Sequence, residues 1–500
     1  MRIRENTNSL SKIFAGEIVR KIIQEQMQIG EIDISDVNIE LNTRDEIPQL
    51  LRGLQHLYTD TTLRSKIFKE LWKMVPDDID TENGRTGMDL WSILVLGALR
   101  VSCNCDWDKL QELANNHYTL RQMLGHGVFD FDKRYPRQTL CDNVRWFRPE
   151  ILDRINRIVV DEGHEQIGIR TDDKLHSRCD TFVVETDVHF PTDINLFWDA
   201  IRKVLELGRQ IAEGRPVPGW RQSRHNLRNA KKLYRRVQKL RDQKKKETPE
   251  YRLTVQQYVE LGECFFSRAT ACFSASNIFS NSPILQLKID RLMEFVSYGE
   301  TLAGQLRRRC INGETIPHEE KLFSLFEPHT EWIVKGKAGI SQELGVRVGI
   351  VECDSGFVLL SRVMTKETDD AAAVPIITDA KKLYPQLSSC SFDKGFHSPE
   401  NQEKLAILLD KVILPRKGKL DSKEAKIESS EEFTLLRRKH AAVESGLNAL
   451  ENHGLDRCPD HGIEGFTRYV ALAVVARNIQ LLGRKLQDRL LEEEERRRAA

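Results

Sequence analysis

The sequence predicts an α+β chain: a mixed sheet with flanking helices, interrupted by a large helical insertion and preceded by a helical domain. Three observations carry this. Short runs of strand formers alternate with helical periodicity between 327 and 485, in the α/β manner. A strand-like run at 179–185 (CDTFVVE) stands far upstream of them. The chain has 500 residues, too many for one ordinary core, so two or three domains are expected.

Bulk properties exclude little else. Apolar residues are 40% of the chain and charged residues 30%, yet the formal net charge is +1, so only the local distribution of charge is informative. No apolar run reaches the roughly 18 residues of a membrane span. Residues 1–17 are polar and lack a secretory apolar segment, which points to the cytoplasm. The ten cysteines form no dense framework, so reduced thiols are expected.

Residues 1–55 read as an arm and 56–150 as a helical domain, with helical spacing at 63–74, 88–101 and 106–124 and a helix start at Asp60-Thr61-Thr62. A multi-helix module of this kind suits DNA binding, and it equally suits protein interaction. The insertion, 194–326, is basic in its middle. Residues 201–250 hold 16 Lys and Arg against 5 Asp and Glu. Arg221, Arg224, Arg228, Lys231, Lys232, Arg235, Arg236, Lys239 and Arg241 recur at helical intervals, a stripe able to neutralise phosphates or simply to be solvated. Trp220 and Tyr234 are placed to pack on sugars or bases.

The remaining segments, 151–193 and 327–485, supply the sheet. Runs at 347–352 and 357–364 flank Cys353-Asp354-Ser355-Gly356 and read as a hairpin. Residues 369–383 read as a helix that Pro375 should kink or interrupt. A strand at 387–392, a helix at 398–409, a strand at 411–415, a long helix at 431–450 and a final helix at 463–490 follow, with 486–500 a charged, solvated tail.

Phosphodiester chemistry with two hard divalent ions needs carboxylates converging from different elements. Asp180 lies on the first strand, Asp393 ends the strand LSSCSF, and Glu444 lies on the long helix. On that helix Arg437, His440, Glu444, Asn448 and Glu451 share one face, and Leu436, Val443, Leu447 and Leu450 form an apolar face. Each carboxylate is only one of 75 acidic residues; their placement is what singles them out.

The block at 179–202 (CDTFVVETDVHFPTDINLFWDAIR) resembles the first-Asp block of bacterial insertion-sequence transposases. SFDKGFHS at 391–398 resembles their second-Asp block, and HAAVESGLNALENHGLDRCPDHG at 440–462 their Glu block. Together these resemble the DDE transposases, the ISNCY-type group in particular, over about 180–480. The resemblance implies an RNase H-like core with catalytic, metal-holding Asp180, Asp393 and Glu444 and two Mg2+ or Mn2+ ions. It implies cleavage at transposon ends and strand transfer into target DNA, by a homodimer or higher oligomer associated with the nucleoid when bound. Terminal inverted repeats and target DNA would be held by the N-terminal helices and by Arg224, Arg228, Lys231, Lys232, Arg235 and Arg236, with Lys394, Arg437 and His440 near the cut. Phe182 departs from the family's small or hydroxyl residue, and Glu451 stands where some relatives carry Lys. Asp187 and Asp193 are rivals of Asp180. The alternatives are a catalytically inactive, domesticated DNA-binding protein and a stand-alone nuclease. His453, Cys458 and His461, with Cys390 as fourth ligand, allow a zinc site; a turn built on Gly454, Pro459 and Gly462 accounts for the same residues.

Overall fold

The computed structural model describes residues 18–19, 30–75, 85–215, 217, 219–243, 248–273, 282–334, 342–418 and 420–499. Of the expected arm, 1–17 and 20–29 lie outside the described residues. Two compact units divide the chain. The larger is Ser11–Asp187 with Gly345–Ala500, and the described part of the smaller is Val188–Leu344.

Helix α1 (Glu46–Thr59) starts within the expected arm because Asp45 caps it, accepting from the Ile47 amide. Asp60 ends α1 and caps α2 (Thr61–Trp72), accepting from the Thr62 and Leu63 amides at 2.8 Å each. Helix α3 (Leu90–Ser102) is buried on every side. The expected helix at 106–124 is two: α4 (Trp107–Asn116) and α5 (Tyr118–Met123). His117 closes the first and caps the second through its ring. Helices α6 (Arg137–Val144) and α7 (Pro149–Gln166) lead into β1 (Leu175–Thr186).

The smaller unit holds α8 (Asp193–Ala212), α9 (Ser223–Asp242), α10 (Pro249–Phe273), α11 (Pro283–Leu306) and the short strand β2 (Glu331–Val334). Its core mixes aliphatic and aromatic side chains, with Phe197 meeting Tyr258 and Phe266 edge-on.

The chain then forms β3 (Gln342–Cys353), β4 (Val358–Met364), α12 (Asp369–Leu383), β5 (Leu387–Phe392), α13 (Pro399–Leu408) and β6 (Lys411–Ile413). It closes with α14 (Ser422–Glu428), α15 (Glu431–His440), α16 (Val443–Leu450), β7 (Arg457–Cys458) and α17 (Gly462–Ala499). The fold is mixed α+β. Across the larger unit the sheet runs β4–β3–β1–β5–β6, antiparallel from β4 to β1 and parallel from β1 to β6. Strand β7 lies parallel to the last residues of β1.

Four expectations change. The single helix at 431–450 is α15 and α16, joined by Ala441 and Ala442. Over the joint the backbone bonds shift to i→i−3, as from Ala441, Ala442, Glu444 and Ser445, which alters the helical phase. Helix α12 continues through Pro375 without interruption. The carbonyl that loses its partner belongs to Ala371, which is exposed. The tail continues α17 as far as Ala499, supported by i,i+4 pairs Arg496–Glu492 and Arg498–Glu494. Finally, the helices at 56–150 share one hydrophobic core with the sheet instead of forming a module apart.

The union is built on α17, which packs on α1, α3 and α7. Gly53 and Gly483 allow backbone-to-backbone approach of α1 and α17, where an added Cβ would meet the carbonyls of Ile479 and Gln49. Asn478, fully buried, accepts from the Val358 amide (3.0 Å) and donates to the Val358 carbonyl (2.8 Å) and to Asn156 (2.7 Å). One amide thus fixes α17 and α7 to edge strand β4, with its buried polar atoms satisfied. Among the described residues no helix is long and apolar enough to cross a membrane.

Candidate active site

The parallel register of β1 and β5 sets the site. Cys179 pairs with Phe392, so the next residues, Asp180 and Asp393, stand at neighbouring positions on strands about 4.8 Å apart. Asp393 is still extended (φ −73°, ψ 159°), and the chain then turns through Lys394–Phe396. Since paired residues share a face, Arg178, Asp180, Ser391 and Asp393 all point to one side of the sheet.

Helices α15 and α16 cover that side. His440, at the end of α15, meets Ser391 Oγ through Nδ1 at 3.0 Å, two residues before Asp393. Helix α16 buries Val443, Gly446 and Leu450 and leaves Glu444 exposed in its first turn. Gly446 is where α16 comes closest to the sheet: an added Cβ would overlap the Glu352 carboxylate. Glu352 is itself fixed by Arg178 at 3.1 Å, in a buried pair. Burial pushes the Glu352 carboxyl up to about 7 in spite of the Arg178 and Arg477 charges.

A fourth carboxylate joins from the opposite face. Asp369, in the first turn of α12, accepts from Thr181 Oγ1 at 2.9 Å and lies against Gly395. Burial pushes the Asp180 carboxyl up to about 6, the Thr181 amide (2.8 Å) pulls it down, and the charges of Asp393, Asp369 and Glu444 push it up again. Glu444 is exposed at the start of α16, while Asp180 and Asp393 are neighbours on the sheet and Asp369 lies beside Thr181 and Gly395. The same turn carries exposed Lys394 and is held by Lys417, whose ammonium donates to the Gly395 carbonyl at 2.6 Å.

The candidate donors are all carboxylate oxygens, the chemistry that Mg2+ or Mn2+ selects. In the conformation described, no three His, Cys, Asp or Glu side chains among the described residues are gathered closely enough to hold an ion.

The remaining sequence candidates fall elsewhere. Asp187 is exposed and paired with Arg457 at 3.0 Å, beyond the end of β1; Asp193 is in the smaller unit, paired with Arg309 at 3.0 Å. Arg437 is exposed in the last turn of α15, whereas burial holds the half-buried His440 below its ordinary range and against Asp393. The expected common face of Arg437, His440, Glu444, Asn448 and Glu451 is broken by the joint at Ala441–Ala442. Cys390 is no fourth partner for His453, Cys458 and His461. It pairs beside Ser177, while Cys458 pairs beside Thr186, nine residues or about 30 Å along β1.

In the smaller unit, Arg224, Arg228, Lys231, Lys232, Arg235 and Arg236 are all exposed on α9, opposite buried Ala230, Val237 and Leu240. Arg236 pairs with Glu250 at 3.1 Å. Trp220 is not available to DNA, because it is buried against Phe273; Tyr234 is half-buried and stacked on Trp198. The two rings complete the helical core instead.

No family model, curated protein or solved structure matches this chain.

Proposed function

We propose that the chain is a DNA transposase with an RNase H-like core, cutting DNA at the ends of its element and joining the freed 3′ hydroxyl to target DNA. The observation that carries the reading is the register that sets Asp180 and Asp393 side by side on parallel strands, under the helices that carry His440 and Glu444. The order of three antiparallel strands followed by two parallel ones agrees with it.

Asp180, Asp393 and Glu444 would hold two Mg2+ or Mn2+ ions, which when bound activate the attacking oxygen and stabilise the leaving one. The chain's own residues do the rest. Thr181 orients Asp369, which closes the carboxylate cluster from the α12 side. His440 holds the end of β5, and so the backbone of Asp393, through Ser391. Lys394, exposed beside Asp393, is placed to meet a backbone phosphate. The cations of α9 hold duplex DNA by charge, and paired ends require two or more copies of the chain.

The test is a supercoiled plasmid carrying the chromosomal sequence from both sides of the coding region, incubated with the full chain and Mg2+ or Mn2+. Joined products are the expected result. Cutting without joining would make the protein a nuclease, and binding without cutting would leave a DNA-binding protein.

A further inference from the structure

The smaller unit contains a cavity of about 1060 Å³, at the top of the range of roughly 300–1,000 Å³ found for ligand pockets, and the carboxylate site does not use it. Its wall is an unbroken row of rings. Phe190 meets Trp332 edge-on (5.4 Å between centroids), Trp332 meets Phe323 (5.8 Å), and Phe323 meets His318 (5.1 Å). The rings are not sealed into a core: Phe190 is 60% exposed, His318 is exposed, and Trp332 and Phe323 are half-buried. Leaving so much aromatic surface in water is unfavourable unless something stacks on it.

Four cations line the same cavity, Arg241, Arg252, Arg309 and Lys321, of which Arg241 is paired with Asp242 at 3.3 Å. The one carboxylate in the lining, Asp193, is paired with Arg309 at 3.0 Å. An apolar row of rings in one cavity with an excess of cations suits a planar ring system that carries an anion. A nucleotide has that chemistry: the base stacks, and the phosphate meets guanidinium and ammonium groups. We propose that this cavity binds unpaired nucleotides of a DNA strand, with bases on the Phe190–Trp332–Phe323 row and phosphates on Arg252 and Lys321. A fully paired duplex cannot use the rings, because its bases are stacked on one another. The site is therefore separate in kind from the α9 stripe, which meets phosphates alone.

The choice of DNA as the polymer rests on the transposase reading, but the test does not depend on cleavage. The probe is a short single-stranded oligodeoxynucleotide with one 2-aminopurine, whose fluorescence falls when the base stacks. It is titrated into the full chain without divalent metal, beside the same oligonucleotide in duplex form and beside free 2-aminopurine deoxynucleotide. The expected result is quenching with the single strand and little with the duplex. Quenching by the free nucleotide at similar concentration would mean that the site takes small nucleotides and not a strand. Phe190→Ala, at an exposed position and so compatible with folding, and Trp332→Ala should each weaken the quenched complex by about 10-fold. Arg252→Ala should weaken it more at low salt than at high salt. The variant Asp180→Asn should quench as wild type does, so loss of catalysis and loss of this site are read apart. Unchanged quenching in both ring variants, or equal quenching by the duplex, would overturn the proposal.

Discussion

Asp369 reaches the cluster from a helix whose sequence carries no catalytic signature. Its carboxylate is fixed by the hydroxyl of Thr181, 188 residues earlier in the chain. Asp369→Asn should lower DNA cleavage by about 10- to 100-fold, as loss of a residue that supports metal ligands does, with the thermal midpoint within a few degrees of wild type. Equal cleavage rates would remove Asp369 from the site. The residue was not legible in the sequence because nothing in residues 369–383 indicates which strand the helix start will face. Asp180 and Asp393 were singled out by the blocks that carry the resemblance, and the pairing of their two strands makes them neighbours. Trp220 was misread: a basic neighbourhood suggests a ligand, but burial depends on the helix packed opposite.

At the scale of elements, α16 carries Glu444 and depends on Gly446. Gly446→Ala would drive a methyl into the buried Glu352 carboxylate, so it should cost about 1–3 kcal/mol and lower cleavage more than DNA binding. Unfolding midpoints and cleavage rates measured on the same preparation check both. The break that sets this helix apart was invisible in sequence, because Ala441 and Ala442 are strong helix formers. Tertiary contacts, His440 to Ser391 on one side and Gly446 to Glu352 on the other, accompany it. The α9 stripe, by contrast, followed directly from helical spacing. Replacing Arg228, Lys231 and Arg235 by Ala should reduce the slope of log affinity against log salt for duplex DNA by about 3, since each phosphate contact contributes about 0.9. An unchanged slope would place the duplex elsewhere.

For the whole molecule, the larger unit depends on a single core shared by helices and sheet, and a buried histidine makes it sensitive to acid. His453 is 4% exposed, and burial pushes it down to about 4, with Arg477 acting in the same direction. The folded chain thus takes up this proton later than the unfolded chain, whose ordinary value is 6.5. Stability from this group is complete above about pH 6.5 and is lost as pH falls toward 4, by about 3 kcal/mol in all. Urea unfolding of wild type and His453→Gln across that window should show the smaller pH dependence in the variant; parallel curves would rule this out. That the helices of 56–150 belong to this core was not legible either, because their apolar faces look the same whether they meet one another or a sheet.

The central claim is that Asp180, Asp393 and Glu444 form one catalytic centre. Its most direct test is cleavage of end-bearing DNA in Mg2+ or Mn2+ by wild type, Asp180→Asn, Asp393→Asn, Glu444→Gln and Asp187→Asn, with binding measured in parallel. The account predicts that the first three variants bind DNA and do not cut it, while Asp187→Asn, which loses only an exposed pair with Arg457, cuts as wild type does. Normal cutting by Asp180→Asn, or loss of cutting in Asp187→Asn with binding intact, would contradict it.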